Sequence, residues 1–146
     1  MSAPALVVEG VDDLLEILKG LDEDMRGEVV QEGMLRGAEI VAAEAAARAP
    51  HGESGELAAS IRAEKREQSF FKLDPGDSTA VGVRAAWYWR FPEFGVAPHE
   101  IGKGWTGWHP GMPATPFARP ALDENADRVL SEVADAIRSA AEARTR

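Results

Sequence analysis

One long periodic stretch constrains the fold of this chain more than any other feature. Between residues 22 and 49, apolar residues recur at steps of three and four, which places them on one face of a helix. They are Val30, Met34, Ala38, Val41, Ala45 and Ala49. Pro50 ends this helix. Small residues dominate the later part of the stripe, and Gly33 and Gly37 lie within the helix. The helix is therefore predicted to approach another element closely.

A second helix follows a region of predicted strands. Residues 119–144 carry their own apolar stripe, and Pro120 suits a first helical turn, where a missing N–H costs little. Residues 57–94 are predicted to form strands, including one at 86–94, with a turn at 74–77. The order lacks βαβ alternation. The sequence therefore predicts an α+β fold, with an antiparallel sheet packed against a long central helix and a C-terminal helix.

The other boundaries complete a predicted single domain of residues 1–146. Residues 1–21 are predicted to form an N-terminal strand at 5–9 and a short helix at 12–20. Residues 95–116 are rich in Gly, Pro and Trp and are predicted to be a loop. We expect residues 95–112 to be mobile in the isolated subunit and ordered in an assembly, where a partner buries Trp105 and Trp108.

Charge and composition exclude several classes of protein. The net charge is −9, and residues 1–49 hold 11 acidic but only 4 basic residues. Because gripping phosphates requires clustered Lys and Arg, we expect no sequence-specific nucleic-acid binding and no attachment to anionic membranes. No apolar run approaches the length of a membrane span, and no secretory signal is recognisable. The absence of cysteine excludes disulfides and thiolate chemistry.

Three arrangements come close to known chemistry without completing it. Residues 97–104 resemble a phosphate-binding loop but lack Ser or Thr after Lys103. Residues 52–55 nearly form a nucleophile elbow, but Ser54 is expected to bond local backbone N–H groups in a turn. A third set has side chains suited to zinc but no known ligand spacing: His99, Glu100 and His109. We therefore expect no enzymatic activity, no cofactor and no metal.

Aromatic residues between positions 87 and 108 are the strongest local sign of binding. On a strand, Trp87, Trp89 and Phe91 would share one face. We expect Trp87 and Trp89 to lie in the core. Trp105 and Trp108, in the predicted loop, are expected at an interface, where large rigid side chains contribute most to binding.

Three segments, taken in order, resemble one family. The first segment is Ala49-Pro50 followed by S-G-x-L-x-x-S-I at residues 54–61. The second is Y-W-R-F-P-E-F-G-V at residues 88–96. The third is P-A-T-P-F-A-R-P-A-L at residues 113–122. Together they resemble the gene-product-ten-like family of HK-type siphophages, whose members are tail-completion, head–tail joining or minor tail components. The matched segments span about half of the chain.

The resemblance implies a structural virion protein of a tailed phage or prophage-like particle, without enzymatic activity or cofactor. It implies a homo-oligomer, expected to be a hexameric ring, at the head–tail junction around the DNA channel. The ring would assemble in the host cytoplasm and contact connector and tail-tube proteins. DNA would only pass through, and the acidic N-terminal third could line the channel. Tail completion, tail terminator and head-side connector all remain open.

The strand end around Gly95 and the Trp-rich loop are the expected contacts with subunits or partners. The candidate residues are Glu93, Phe94, Gly95, Trp105, Trp108, His109 and Pro110. Gly95 is expected to adopt positive φ or to lie against another chain. Gly95→Val should then impair ring assembly more than folding. Two alternatives stay open: an adaptor or toxin–antitoxin-type partner outside phages that uses the Trp-rich loop, and a hydrolase that uses His99 or His109.

Overall fold

The computed structural model describes residues 23–65, 71–73, 81–102, 104 and 107–145, together with Glu16 and Lys19. The predicted strand at 5–9, most of the predicted helix at 12–20, the turn at 74–77 and Trp105 lie outside the described residues. No helix in the described part has both the length and the apolar content that a bilayer crossing needs.

Two long helices pack against each other and form one layer. Helix α1 covers Glu23–Arg48, and it is followed by the short helix α2 at Glu56–Ser60. The C-terminal helix, α4, covers Ala118–Thr145. The predicted ends of both long helices are within one residue of those observed. Pro50 lies just beyond the end of α1, and Pro120 lies in the first turn of α4.

Glycines bring the two long helices into close contact. A Cβ atom added at Gly33 would lie 2.7 Å from Val133 Cα, and one added at Gly37 would lie 2.7 Å from Val129 Cγ1. Real Cβ atoms do not come this close to other atoms, so α4 can pack here only because α1 carries glycine. The predicted close approach is confirmed, and the partner element is α4.

A small antiparallel sheet covers the other side of α1. Its strands are β1 at Arg62–Glu64, β2 at Phe71–Leu73 and β3 at Val81–Arg84, in the order β1-β3-β2. Val81 and Val83 are fully buried among core residues of α1 such as Ala38 and Val41. The observed α+β architecture, with a sheet on a long helix that also packs against the C-terminal helix, confirms the predicted fold class.

The predicted strand at 86–94 is wrong. Strand β3 ends at Arg84, residues 87–89 form a turn, and Arg90–Phe94 form a short helix, α3. Pro92 explains the difference, because it cannot donate a hydrogen bond to a strand ladder but fits the first turn of a helix. Residues 57–60 are also helical rather than extended, so the first strand begins at Arg62.

The segment predicted as a loop at 95–116 contains paired backbone. His99–Glu100 form β4 and Trp108–His109 form β5, in antiparallel register. Val96 and Met112 extend this hairpin, since each backbone N–H donates to the other residue's carbonyl oxygen at 2.9 Å. The hairpin thus has a hydrogen-bonded base, a feature absent from the sequence prediction.

Candidate functional site

The carboxylate of Glu93 caps the N-terminus of α4. The backbone N–H groups of Phe117 and Ala118 donate to its Oε2 atom at 2.7 and 2.9 Å, and that of Arg119 donates to Oε1 at 2.9 Å. The first N–H groups of a helix have no partner within the helix, and the helix dipole favours negative charge at this end. Glu93 is 4% exposed. A buried anion therefore joins α3 to α4.

Gly95 lets the chain turn tightly after α3. Its φ is +74°, a conformation that L side chains rarely adopt. A Cβ atom added there would lie 2.9 Å from the backbone nitrogen of Ala114 and 3.0 Å from the carbonyl oxygen of Met112. The expected positive φ is confirmed, and another backbone segment does come close to Gly95. However, the approaching backbone belongs to the same chain, so the expected separation of assembly from folding in Gly95→Val loses its basis.

Three aromatic side chains around α3 face solvent. We call Trp87, Phe91 and Phe94 the α3 surface; Trp87 is 80% and Phe94 70% exposed. Trp87 packs edge-on against Phe91, with ring centroids 5.9 Å apart. Trp89 is buried in the core, as expected, whereas the expectation that Trp87 is a core residue is wrong. The short helix replaces the strand and so turns Trp87 and Trp89 in different directions.

The hairpin carries a second exposed apolar group. Trp108 is 63% exposed, and Ile101 and Met112 are also exposed; we call these three residues the hairpin surface. At its base the rings of His99 and His109 stack with centroids 5.0 Å apart. The backbone N–H of Gly111 donates to His109 Nδ1 at 3.0 Å, and His99 Nδ1 lies 2.9 Å from the Ala97 carbonyl oxygen. Both imidazoles therefore take part in hairpin structure.

The described residues offer no assembled catalytic or metal site. Strand alternation places Glu100 on the hairpin face opposite His99, and within the described ranges no three His, Asp or Glu side chains are grouped to hold a metal. Ser54 Oγ accepts a 3.3 Å hydrogen bond from the Glu56 backbone N–H, as expected of a turn residue. The absence of enzymatic activity stays a prediction.

The predicted interface residues fall into two groups. Phe94, Trp108 and Pro110 are exposed, so their contact with a partner stays a prediction, and His109 is half-buried. Glu93 is buried and its carboxylate accepts from three backbone N–H groups, so its role within the subunit is structural, and its contact with a partner stays a prediction. Trp87 and Phe91 are exposed as well, which the predicted strand did not indicate. Pro92 was the available signal, because it marks a first helical turn there.

An ion pair joins the C-terminal end of α1 to the N-terminal part of α4. Arg48, in the last turn of α1, donates a hydrogen bond to the Glu124 carboxylate of α4 and lies 3.5 Å from Glu44. The hydrogen bond from Arg48 and its positive charge lower the pKa of Glu124. The same hydrogen bond raises the pKa of Arg48. The Arg48–Glu124 ion pair is therefore lost only at acidic pH, where Glu124 becomes protonated.

Comparison with known proteins identifies the family. The family model for bacteriophage HK97 gp10-like tail components matches residues 12–95, which is more than half of the chain. Neither a search of curated proteins nor a search of solved structures gives a significant match. The family match supports a structural, tail-related role in the virion and contacts with other phage structural proteins. The chain belongs to the HK97 gp10-like family of bacteriophage tail components.

Proposed function

We propose that the protein is a non-enzymatic subunit of a hexameric ring at the head–tail junction, and that the α3 surface contacts the adjoining structural protein. The α3 surface is the observation that carries this proposal. Large exposed aromatic residues grouped in one place are typical of protein-binding sites. The family is one of phage tail components, which places the expected partner within the virion.

The α3 surface is also held in a fixed conformation. Glu93 lies between Phe91 and Phe94 in sequence and is anchored on α4 through three backbone N–H groups. The Thr115 backbone N–H donates to the Pro92 carbonyl oxygen at 2.7 Å, which adds a second tie. A rigid surface loses little conformational entropy on binding, so more of the contact energy contributes to affinity.

The ring would surround the DNA without reading its sequence. The chain is acidic overall, with a net charge of −9. Negative charge around a channel repels the phosphate backbone and so opposes sticking of the DNA as it passes. Tail completion, tail termination and head-side connection are all compatible with such a ring. A toxin–antitoxin or adaptor role outside phages has no support in the family match.

Deletion of the gene in the phage or prophage that encodes it tests this role. We expect the deletion to yield heads and tails that fail to join, and the wild-type gene to restore complete particles. The purified chain should form closed six-membered rings in native mass spectrometry and negative-stain microscopy. Normal particles after deletion, or a protein that stays monomeric at all concentrations, would overturn the proposal.

The α3 surface has its own test. The variant Trp87→Ser/Phe94→Ser should fold and form rings but fail to restore complete particles, because it removes exposed area and leaves the core intact. The matched control is Trp108→Ser/Met112→Ser, which removes apolar area from the hairpin surface. If only the control failed to restore particles, the contact would lie on the hairpin instead.

A further inference from the structure

The outer face of the small sheet carries an excess of positive charge. Arg62 of β1 and Arg84 of β3 are direct cross-strand partners. Because side chains alternate along a strand and Val81 and Val83 face the core, both arginines lie on the outer face. Their side chains are 63% and 50% exposed, and Lys65 beside them is exposed too.

Among the described residues, one carboxylate lies with these three cations. Glu64 Oε1 is 2.6 Å from Arg62 Nε and 3.9 Å from a terminal nitrogen of Arg84. We call Arg62, Glu64, Lys65 and Arg84 the sheet patch. Like charges directly opposite each other destabilise a strand pair, and within the described part of the sheet one anion faces three cations. An acidic partner would compensate this excess.

The opposite side of the molecule presents complementary chemistry. A groove of about 430 Å³ runs between α1 and α4, and Glu39, Glu44 and Glu132 are among its lining residues. Ile40 and Ala43 supply its apolar part. We call these five residues the helix groove. On the helical wheel of α1, Ile40 and Ala43 lie opposite Ala38, Val41 and Ala45, which are buried in the core.

The cations in this groove already have partners. Arg36 forms an ion pair with Glu32 one turn away, and Arg128 donates a 3.0 Å hydrogen bond to the Asn125 side-chain oxygen. Three carboxylates and two guanidinium groups line the groove, and one of the carboxylates, Glu44, is also paired with Arg48. The residual charge is negative, opposite in sign to that of the sheet patch.

We propose that the sheet patch of one copy docks on the helix groove of the next copy. The inference rests on the proposed ring and names its subunit contact. The two surfaces lie on opposite sides of the two-layer subunit, so the contact is head-to-tail. Repeated head-to-tail contacts give a closed ring when their rotation closes. The α3 surface is then left for the adjoining structural protein.

Charge reversal tests the contact with the full-length chain. The patch variant is Arg62→Glu/Arg84→Glu, and the groove variant is Glu39→Arg/Glu132→Arg. Each alone should raise the concentration needed for half-assembly by about tenfold or more, because like charges would meet at every contact. Circular dichroism and melting temperature check folding, and Arg62→Gln/Arg84→Gln is the milder substitute if the patch variant fails to fold.

Mixing the two variants is the decisive step. In an alternating ring every contact is complementary again, so an equimolar mixture should form rings when neither variant does alone. The matched control, Arg90→Glu/Arg138→Glu, changes the net charge equally at other exposed arginines and should leave assembly near that of the wild type.

Three outcomes would overturn the inference. These are normal rings from each reversed variant, no rings from the mixture, and duplex DNA binding by wild type that the patch variant loses. In each case wild-type rings would still support the proposed function. A wild-type chain that never forms rings would overturn the proposed ring as well.

Discussion

The pair of long helices and the α3 region are built on different principles. Helices α1 and α4 meet through glycines and small apolar side chains, with backbone atoms nearly in contact. The α3 region exposes its largest aromatic residues and is anchored by one buried carboxylate. The first arrangement stabilises the subunit through packing. The second presents a surface and keeps it in place through a single buried carboxylate.

Removal of the anchoring carboxylate should have the largest effect. Glu93→Ala leaves the backbone N–H groups of Phe117, Ala118 and Arg119, at the start of α4, without their acceptor in a buried site. We expect a loss of about 3–5 kcal/mol in the free energy of unfolding, measured by urea denaturation. Glu93→Gln keeps one acceptor oxygen and should lose clearly less. An alanine variant as stable as the wild type would show that the helix start finds water or other acceptors.

Gly95→Val should cause the second-largest loss of stability. A β-branched residue at φ +74° is strained, and its Cβ would lie 2.9 Å from the Ala114 nitrogen. We expect a loss of about 2–4 kcal/mol in stability, with assembly declining in parallel because the subunit itself is weakened. Thermal melting and native mass spectrometry measure the two effects. If Gly95→Val kept the stability of the wild type but formed no rings, the defect would lie in assembly alone, as the sequence predicted.

The close contact of the long helices can be broken at Gly33. In Gly33→Ala the new Cβ would lie 2.7 Å from Val133 Cα, which forces the helices apart. Alanine also favours helix by up to about 1 kcal/mol, so the net loss should be about 1–2 kcal/mol. Gly102→Ala is the control, because nothing lies within 4 Å of the added atom. Equal melting temperatures for the two variants would contradict the packing argument.

Lowering the pH should produce the smallest of these changes in stability. The pKa of Glu124 is lowered from its ordinary value of 4.5 by the hydrogen bond from Arg48. Its contribution to stability is therefore complete above that value and is lost as the pH falls through the lower pKa of the folded state. Because the pair is solvent-exposed, we expect a small shift in melting temperature that Glu124→Gln abolishes. The same pH profile in both proteins would show that the pair contributes nothing measurable.

Local sequence pattern was enough to predict the two long helices but not the α3 region. The three- and four-residue periodicity and the two prolines located α1 and α4, and the glycines indicated their close approach. The α3 helix was missed because Trp and Phe favour strands, while Pro92 carried the opposite signal. No local pattern reveals that Glu93 binds backbone groups 24 to 26 residues further along the chain.

One clue to that long-range contact was present in the sequence. Phe117 occupies the residue before α4, where Ser, Thr, Asp or Asn usually supplies the capping oxygen. A helix whose own sequence provides no cap needs an acceptor from elsewhere. Glu93 provides it, and the stacked His99 and His109 rings are another pairing that only the folded hairpin defines.

The Glu93 cap also determines how the subunit bears force. A neighbour that pulls on the α3 surface loads the carboxylate, which passes the tension directly to the first turn of a helix of 28 residues, about 42 Å in length. The α3 surface is therefore attached, through one carboxylate, to the end of the longest helix of the described chain.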